Sequence, residues 1–419
     1  MQNVLFFIFR LYGGGAERVV SNLSMAFSEQ DNVKVAVYDN QEKTYPYKGD
    51  LIRIKLPFSN DPIHNRWWQR VARLVILIYK VRKIKRQHKI DVAISFAEQA
   101  NIVNILTRGK SRTVISVRTL LSKELASTPK MKILAHFIRF LYNRAQQIIV
   151  PSQLAAQDLQ NHFGIEPRKL KVIYNYIEQE KINGMTAEAI DDPFLRALFN
   201  RPVLLNVGRI TPAKGQWLLF EVMKKIKPLH PDWKLVIIGE SETEGNLKTR
   251  LLELAGRLDL QIYDSAGGQN ASMDYDVYLL GFKANPFRYM RQSRVLVFPS
   301  VFEGFPNTVL EAMQSGLPVV VADCQAGPRE ILAPGSDFAT RAVRSEQTAF
   351  GMLCPSLPAA DISIPVPSWI TEEWICAIDR VMNENDLRDQ FIRQGYARVR
   401  DFDKDTILAD WKKSIDGIY

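Results

Sequence analysis

Two glutamates eight residues apart, Glu303 and Glu311, stand in the segment Pro299-Ser-Val-Phe-Glu303-Gly304-Phe305-Pro306-Asn307-Thr308-Val-Leu-Glu311-Ala-Met-Gln-Ser-Gly316-Leu-Pro318. The apolar run Arg294–Phe298 before it reads as a strand, and Gly316 with Pro318 stops what reads as a short helix. Asn307 or Thr308 is the expected cap of that helix, and Glu311 falls about one turn inside it. Two carboxylates beside a helix N-terminus suit a nucleotide sugar. One accepts from sugar hydroxyls, the other from ribose hydroxyls, and phosphate meets the helix amides.

A second charged loop follows the apolar run Val203–Val207: Gly208-Arg209-Ile-Thr-Pro-Ala-Lys214-Gly215. Arg209 and Lys214 suit a diphosphate, because a guanidinium forks onto two oxygens while an ammonium acts as a point charge. A third candidate is Gly13-Gly14-Gly15, between the apolar run Val4–Phe9 and a helical pattern over Ala16–Phe27. Glycines there bring backbone N–H groups close to an anion at the positive end of a helix. The run is not GxGxxG, and apart from Asp39 no acid ends the second strand at the dinucleotide offset, so a dinucleotide fold is not supported.

These loops need scaffolds to hold them. Apolar runs alternate with amphipathic stretches through most of the 419 residues, the pattern of parallel α/β layers. Strands are expected at Val4–Phe9, Val33–Tyr38, Val92–Phe96, Thr113–Val117, Gln147–Val150 and Lys171–Ile173. A second series is expected at Val203–Val207, Lys234–Ile238, Val277–Leu280, Arg294–Phe298 and Pro318–Ala322. Helices are expected over Ala16–Phe27, Trp67–Gln87 and Trp217–Ile226. Residues 181–200 lack a strong period and read as a linker between a first domain, 1–180, and a second, 201–400; residues 401–419 read as a closing helix. Each half looks like a Rossmann-type open sheet, whose ligand site lies at the carboxyl ends of its strands.

The composition, 46% hydrophobic and 24% charged, excludes a disordered or collagen-like chain. Residues 1–200 carry 30 basic and 17 acidic side chains, and the remainder 25 and 28, so the first half is built to meet something anionic. Cys324, Cys354 and Cys376 show neither CxxC spacing nor an even count, which points to a reduced, cytoplasmic compartment. No export or spanning segment is visible; the run Val71–Tyr79 holds Arg73 and is far short of the ~20 residues a spanning helix needs. Membrane contact, if made, is peripheral. From Pro62 to Ile90 there are nine Lys or Arg residues and no acid. Trp67, Val71, Leu74, Ile78 and Val81 form one helical stripe, and Arg66, Arg70, Arg73 and Lys80 a second behind it. With Trp68, Arg82, Lys83, Lys85 and Arg86, this surface is expected to rest on an anionic membrane.

Taken together the motifs resemble a family. Gly-Gly-Gly after strand one, Gly-Arg-x4-Lys-Gly and Glu-Gly-Phe-Pro-Asn-x3-Glu-Ala-Met-x2-Gly-x-Pro look like the family-four retaining glycosyltransferases of the GT-B fold. Val172-Ile-Tyr-Asn175, Leu280-Gly281-Phe282 and Asp323-Cys-Gln-Ala-Gly327-Pro328-Arg-Glu330 look most like the bacterial branch that builds capsule, O-antigen or other surface polysaccharide. The resemblance implies two Rossmann-like α/β/α domains facing each other across a donor/acceptor cleft, with a C-terminal helix returning to the first. It implies Arg209 and Lys214 on the donor diphosphate, Glu303 on the donor sugar and Glu311 on the nucleotide ribose. Gly14, Gly15 and the backbone from Gly304 through Phe305, Pro306, Asn307 and Thr308 belong to the same donor site. The segment after Gly281 and Phe282 faces the base. The implied activity is transfer from a UDP-hexose or UDP-N-acetylhexosamine to a lipid-linked (polyprenyl diphosphate) glycan, without a metal cofactor.

One departure from the family pattern matters. Many members carry a histidine where this chain has Arg118, after the Thr113–Val117 strand. An arginine stays protonated and is no general base, but it can hold a leaving phosphate or an acceptor anion. Glu98, after Val92–Phe96, is a further candidate for the acceptor hydroxyl. Asp274-Tyr-Asp276 matches the metal-binding DxD of the other glycosyltransferase fold, but it leads into the Val277–Leu280 strand, where no diphosphate site is expected. His64, His88, His136, His162 and His230 show no ligand spacing. A nucleotide-sugar epimerase would not need the basic first half. A nucleic-acid-binding protein would show aromatic stacking platforms or a recognised module, and neither is found.

Overall fold

A computed structural model describes residues 1–12, 14–38, 45–57, 66–125, 131–241 and 247–417. Gly13, Asp39, Pro62 and His64 lie outside the described residues. The chain divides into two compact units, one of Met1–Asn175 with Asp405–Tyr419, the other of Tyr176–Lys404.

The first unit is built on seven parallel strands: β1 (Asn3–Ile8), β2 (Asn32–Val37), β3 (Asp50–Arg53), β4 (Val92–Phe96), β5 (Arg112–Ser116), β6 (Gln147–Val150) and β7 (Leu170–Val172). Their spatial order is β3-β2-β1-β4-β5-β6-β7. Val4 of β1 lies between Val33 of β2 and Val92 of β4, and all three are buried, as parallel strands covered on both faces require. The chain leaves β1 in one direction and returns across to β4, so the order reverses between these two strands. That switch point is where open α/β sheets bind ligands. The crossovers from β3 to β4, β4 to β5 and β5 to β6 all run the same way across the sheet. Right-handed connection therefore puts their helices, Trp67–Gln87, Glu98–Leu106 and Met131–Tyr142, on one face. The closing helix, Lys404–Asp416, belongs to this unit, where Trp411 is buried with its ring 6.0 Å from that of Phe96.

The second unit carries eight strands: β8 (Val203–Val207), β9 (Lys234–Ile238), β10 (Ile262–Asp264), β11 (Val277–Leu279), β12 (Val295–Phe298), β13 (Val319–Ala322), β14 (Glu346–Gln347) and β15 (Met352–Cys354). The order is β10-β11-β9-β8-β12-β13-β15-β14, parallel except for β14. Here the reversal falls between β8 and β12. The core on the helix side is dense, with Trp217, Phe220, Met223 and Trp374 fully buried.

The expected strands all form, each within one residue of its expected ends, and the Trp67–Gln87 and Trp217–Ile226 helices match residue for residue. β3, β10, β14 and β15 were not foreseen, because runs of two to four residues carry no readable period. The segment read as a linker holds most of one helix, Gln179–Thr186, and all of another, Pro193–Phe199. Asp191-Asp-Pro193 starts the second of these. Asp192 accepts from the Phe194 and Leu195 amides at 2.8 and 3.1 Å, and proline suits the first helical position.

The basic helix needs a larger correction. Leu77, Val81 and Ile84 are its buried residues in the core, with Leu74 and Ile78 packed beside them, so the expected membrane stripe is split: Val81 is buried, whereas Trp67 and Val71 are 77% and 52% exposed. Arg73 donates to the Pro57 carbonyl at 3.0 Å and Lys80 to that of Lys55 at 2.5 Å, so both are tied to the chain beyond β3. Lys85 is buried. Its ammonium donates to Oδ1 and the carbonyl of Asn104 at 2.7 and 3.0 Å, and Asn104 bonds Ala93, Ser95 and Val114. Lys85 therefore leaves the membrane-facing set; it ties the helix to β4 and β5.

Burial pushes the Lys85 pKa down from 10.5 to about 7. Between those values the unfolded chain holds the proton more tightly than the folded one, so this group makes stability rise with pH from about 7 to 10 and leaves it flat below. Urea midpoints for the wild type and Lys85→Met should diverge in slope across that window. Parallel slopes would show that the ammonium is not desolvated.

Candidate functional site

The loops that follow β8 and β12 are stitched together at the switch point of the second sheet. The Val301 amide donates to the Ala213 carbonyl at 2.8 Å, and Lys214 Nζ donates to Glu303 Oε1 at 2.5 Å. The two side chains are 21% and 12% exposed, and the ammonium lies 5.1 Å from the centre of the Phe298 ring. Local sequence explains the fit. Pro212–Lys214 makes one 3₁₀ turn and Gly215 adopts φ +62°, where a Cβ would collide with the Pro299 carbonyl. Only glycine lets the lysine loop lie against the glutamate loop. Arg209, three residues before that turn, is exposed, and its carbonyl accepts from Gln216 at 2.8 Å.

The glutamate loop is supported from behind. The Glu303 amide donates to the Gln325 carbonyl at 3.4 Å, and Gly327, at φ +92°, approaches so closely that a Cβ would sit 2.5 Å from Pro306. Cys324 is buried below the loop. Burial first, and the negative charge of Glu303 second, push its thiol pKa well up, so it stays neutral. Gly304 is half-buried, and Phe305 is buried with its ring 5.5 Å from that of Phe402.

The helix after this loop runs Asn307–Gln314 with Pro306 in the cap position. Asn307 and Thr308 are therefore its first two residues rather than its cap, because the extended proline at φ −81° already sets the entry angle. Pro306 supplies no side-chain cap to the first turn, and a helix end of this kind suits an anion. Glu311 is buried within the helix at 8% exposure. Gly281 follows β11 at φ +67° and accepts from the Gly239 amide at 3.0 Å, with Phe282 beside it 71% exposed. Thus Gly281, the Arg209 and Lys214 loop and the Glu303 loop all stand at carboxyl ends of strands in one sheet.

The DxD residues part company. Asp276 is buried and accepts from Lys227 Nζ and the Gln261 amide, both at 2.8 Å, while Asp274 is exposed and bonded to Ser272. Among the described residues no group of three or more His, Cys, Asp or Glu side chains gathers as a metal site.

The remaining candidates lie in the first unit. Gly14 caps and Gly15 opens the Gly15–Phe27 helix after β1. The Glu17 carboxylate, paired with Arg10 at 3.4 Å, lies against Gly14, so the chain places its own anion there. Glu98 begins the helix after β4 and accepts from the Tyr142 hydroxyl. The preceding Ala97 sits at φ 72°, ψ 155°, a region almost confined to glycine that costs about 1–3 kcal/mol, the kind of strain that collects at functional sites. Arg118, past the end of β5, donates through Nη2 to Asn175 Oδ1, while Nη1 is buried without a partner. Burial lowers its pKa to about 10, so it remains a cation at neutral pH.

Tyr142 escaped the sequence reading altogether, while Asn175 and Gln325 fell inside quoted motifs and Phe298 inside an expected strand without a role attached. Gln325 acts through its backbone and the others through contacts distant in sequence, which spacing does not show.

Residues 13–181 match the Glycosyltransferase Family 4 profile, and residues 201–352 match the Glycosyl transferases group 1 profile. The chain is 29% identical over 385 residues to an uncharacterized glycosyltransferase of Methanocaldococcus jannaschii, covering 88% of this chain and 90% of that one. It is 31% identical over 335 residues to the N-acetylgalactosamine-N,N'-diacetylbacillosaminyl-diphospho-undecaprenol 4-alpha-N-acetylgalactosaminyltransferase of Campylobacter jejuni, covering 79% and 83%. The crystal structure of Anabaena HepE in complex with UDP has a TM-score of 0.73 at 19% identity, covering 99% of this chain and all of that one, which gives the fold as GT-B. With the lysine–glutamate pair held at the sheet's switch point and profiles matched in both halves, the chain belongs to the family-four glycosyltransferases.

Proposed function

We propose that this glycosyltransferase moves a hexose or N-acetylhexosamine from its UDP donor to a lipid-linked glycan at the inner face of the cytoplasmic membrane, with retention of configuration, in surface-polysaccharide synthesis. The observation that carries this reading is the Lys214–Glu303 contact of 2.5 Å beside the Asn307–Gln314 helix. A cation in contact with a carboxylate, four residues ahead of a helix N-terminus, matches the parts of a sugar diphosphate. The UDP in the HepE structure and the diphospho-undecaprenol acceptor named for the Campylobacter relative support the substrate classes.

In this mechanism Arg209, Lys214 and the helix amides hold the diphosphate, Glu303 orients the sugar hydroxyls and Glu311 meets the ribose. The bond between the anomeric carbon and the phosphate oxygen breaks as negative charge builds on that oxygen. Fixed donors already aimed there stabilise the charge without reorganising. The acceptor oxygen bonds to the same face of the sugar, and its proton passes to the departing phosphate. Protein cations take the part a divalent ion plays elsewhere.

Thermal shift with UDP, GDP and ADP in the presence of EDTA tests the donor and the metal together. UDP at 100 times its dissociation constant should add about 2.7 kcal/mol of apparent stability, with EDTA making no difference. Stabilisation that EDTA abolishes and Mn²⁺ restores would return attention to Asp274 and Asp276.

The membrane side of the reading rests on the exposed face of the Trp67–Gln87 helix. Trp67, Val71, Val75 and Tyr79 form an outward apolar stripe, with Arg66, Arg70, Arg82, Lys83 and Arg86 exposed around and beyond it. Trp68 is 44% exposed at the same end. Among the described residues no helix is long and apolar enough to cross a membrane, and lying on the surface is what this amphipathic pattern suits.

A further inference from the structure

The Met131–Tyr142 helix turns two large aromatic side chains outward. Phe137 is 47% exposed and Phe140 61% exposed, while Ile138, Leu141 and Tyr142 of the same helix are buried. Exposed Arg139 stands between the two rings in sequence, and the Arg144 guanidinium lies 4.2 Å from the centre of the Phe140 ring. Arginine stacked on an exposed aromatic is amphipathic, apolar below and charged at the tip, which is the pattern of a side chain at a lipid–water boundary.

This helix shares one face of the first sheet with the Trp67–Gln87 helix, and the Glu98–Leu106 helix lies between them. The middle helix is sunk: Ala100, Asn101, Val103, Asn104 and Ile105 are buried. Helices in contact pack 8–10 Å apart, so the two outer helices stand about 20 Å from each other as ridges either side of it. At their carboxyl ends the layer is basic, with Arg82, Lys83 and Arg86 on one ridge and Arg139 and Arg144 on the other. Exposed Arg108 and Lys110 follow the sunken helix between them. Neither ridge carries an acidic residue along its described helix.

We propose that the two ridges form one docking face for an anionic lipid surface, with Phe137 and Phe140 as a second apolar anchor beside the Trp67–Tyr79 stripe. The inference rests on the membrane reading above and extends it to a helix that the charge pattern of the sequence did not single out. Two anchors 20 Å apart, on the order of the helix spacing just given, fix the tilt of the unit on the surface where one helix would leave it free to roll.

The test is sedimentation with vesicles of phosphatidylcholine, with and without phosphatidylglycerol. Three proteins are compared at full length: wild type, Phe137→Ser with Phe140→Ser, and Arg82→Glu with Lys83→Glu and Arg86→Glu. Wild type should bind only the anionic vesicles, and each variant should lose at least about tenfold in partition while keeping its melting temperature and its stabilisation by UDP. Wild-type binding by the phenylalanine variant, with release of the charge variant, overturns the two-ridge face and leaves the single-helix reading standing. Failure of the wild type to bind anionic vesicles overturns both, without touching the donor site. A wild-type dimer in light scattering that the phenylalanine variant loses would assign the face to a second copy of the chain instead.

Discussion

Glu303→Gln is expected to lower sugar transfer by about 10²-fold or more, roughly 2.7–4 kcal/mol of transition-state stabilisation, the usual scale for one preorganised charge partner. The substitution keeps the shape of the side chain and removes its charge, so Lys214 loses an ion pair of 2.5 Å but keeps a hydrogen-bond acceptor. Glu303 lies in a loop outside the packed core of the sheet, and the melting temperature should move by only a few degrees. Lys214→Met should show a similar loss, and the double variant should be no worse than about the poorer single, because the two side chains act as one unit. Transfer assays with a UDP-sugar donor decide it. Near-wild-type turnover in both single variants would remove this pair from the donor site.

The pair could be found in the sequence because its chemistry is local. Arg209 and Lys214 share one loop, Glu303 and Glu311 one strand–loop–helix, and each stretch ends on a glycine or proline that dictates its own turn. The strands were readable for the same reason: a run such as Val203–Val207, followed at once by Gly208, has few alternatives. Depth is what the pattern did not carry. Lys83 and Lys85 look alike in sequence, yet one is exposed and the other sits on Asn104, nineteen residues away. The Trp67–Gln87 helix is apolar on more than one side, so spacing allowed two choices of inward face, and only the sheet it packs on selects Leu77, Val81 and Ile84. The cap of the Asn307–Gln314 helix lies one or two residues before Asn307 or Thr308 because proline imposes an entry angle that propensity for Asn and Thr does not reveal. Phe137 and Phe140 belong to no motif, and only the burial of Ile138 and Leu141 shows that they face outward.

Arg118→Met is expected to lower transfer by about 10²-fold while leaving the fold as stable as before or more so. The argument starts from what the guanidinium lacks. Burial lowers its pKa to about 10, its Nη2 hydrogen bond goes to a neutral amide, that of Asn175, and Nη1 is buried without a partner. Burying a cation without a carboxylate costs free energy that one amide contact returns only in part. A methionine of similar length refills the space without that cost, so urea unfolding should give an unchanged or higher midpoint. A residue that destabilises its own fold is retained for a task, and an anion arriving at the carboxyl edge of the first sheet would complete its hydrogen bonds. Because the residue lies in the first unit, the nucleotide's thermal shift should survive in Arg118→Met although transfer falls. Arg118→Lys should recover only part of the activity, since an ammonium cannot keep the Asn175 contact and fork onto an oxyanion at once. Transfer at the wild-type rate in Arg118→Met, or a marked fall in the unfolding midpoint, would make Arg118 a structural cation and leave the acceptor edge of this sheet to Glu98.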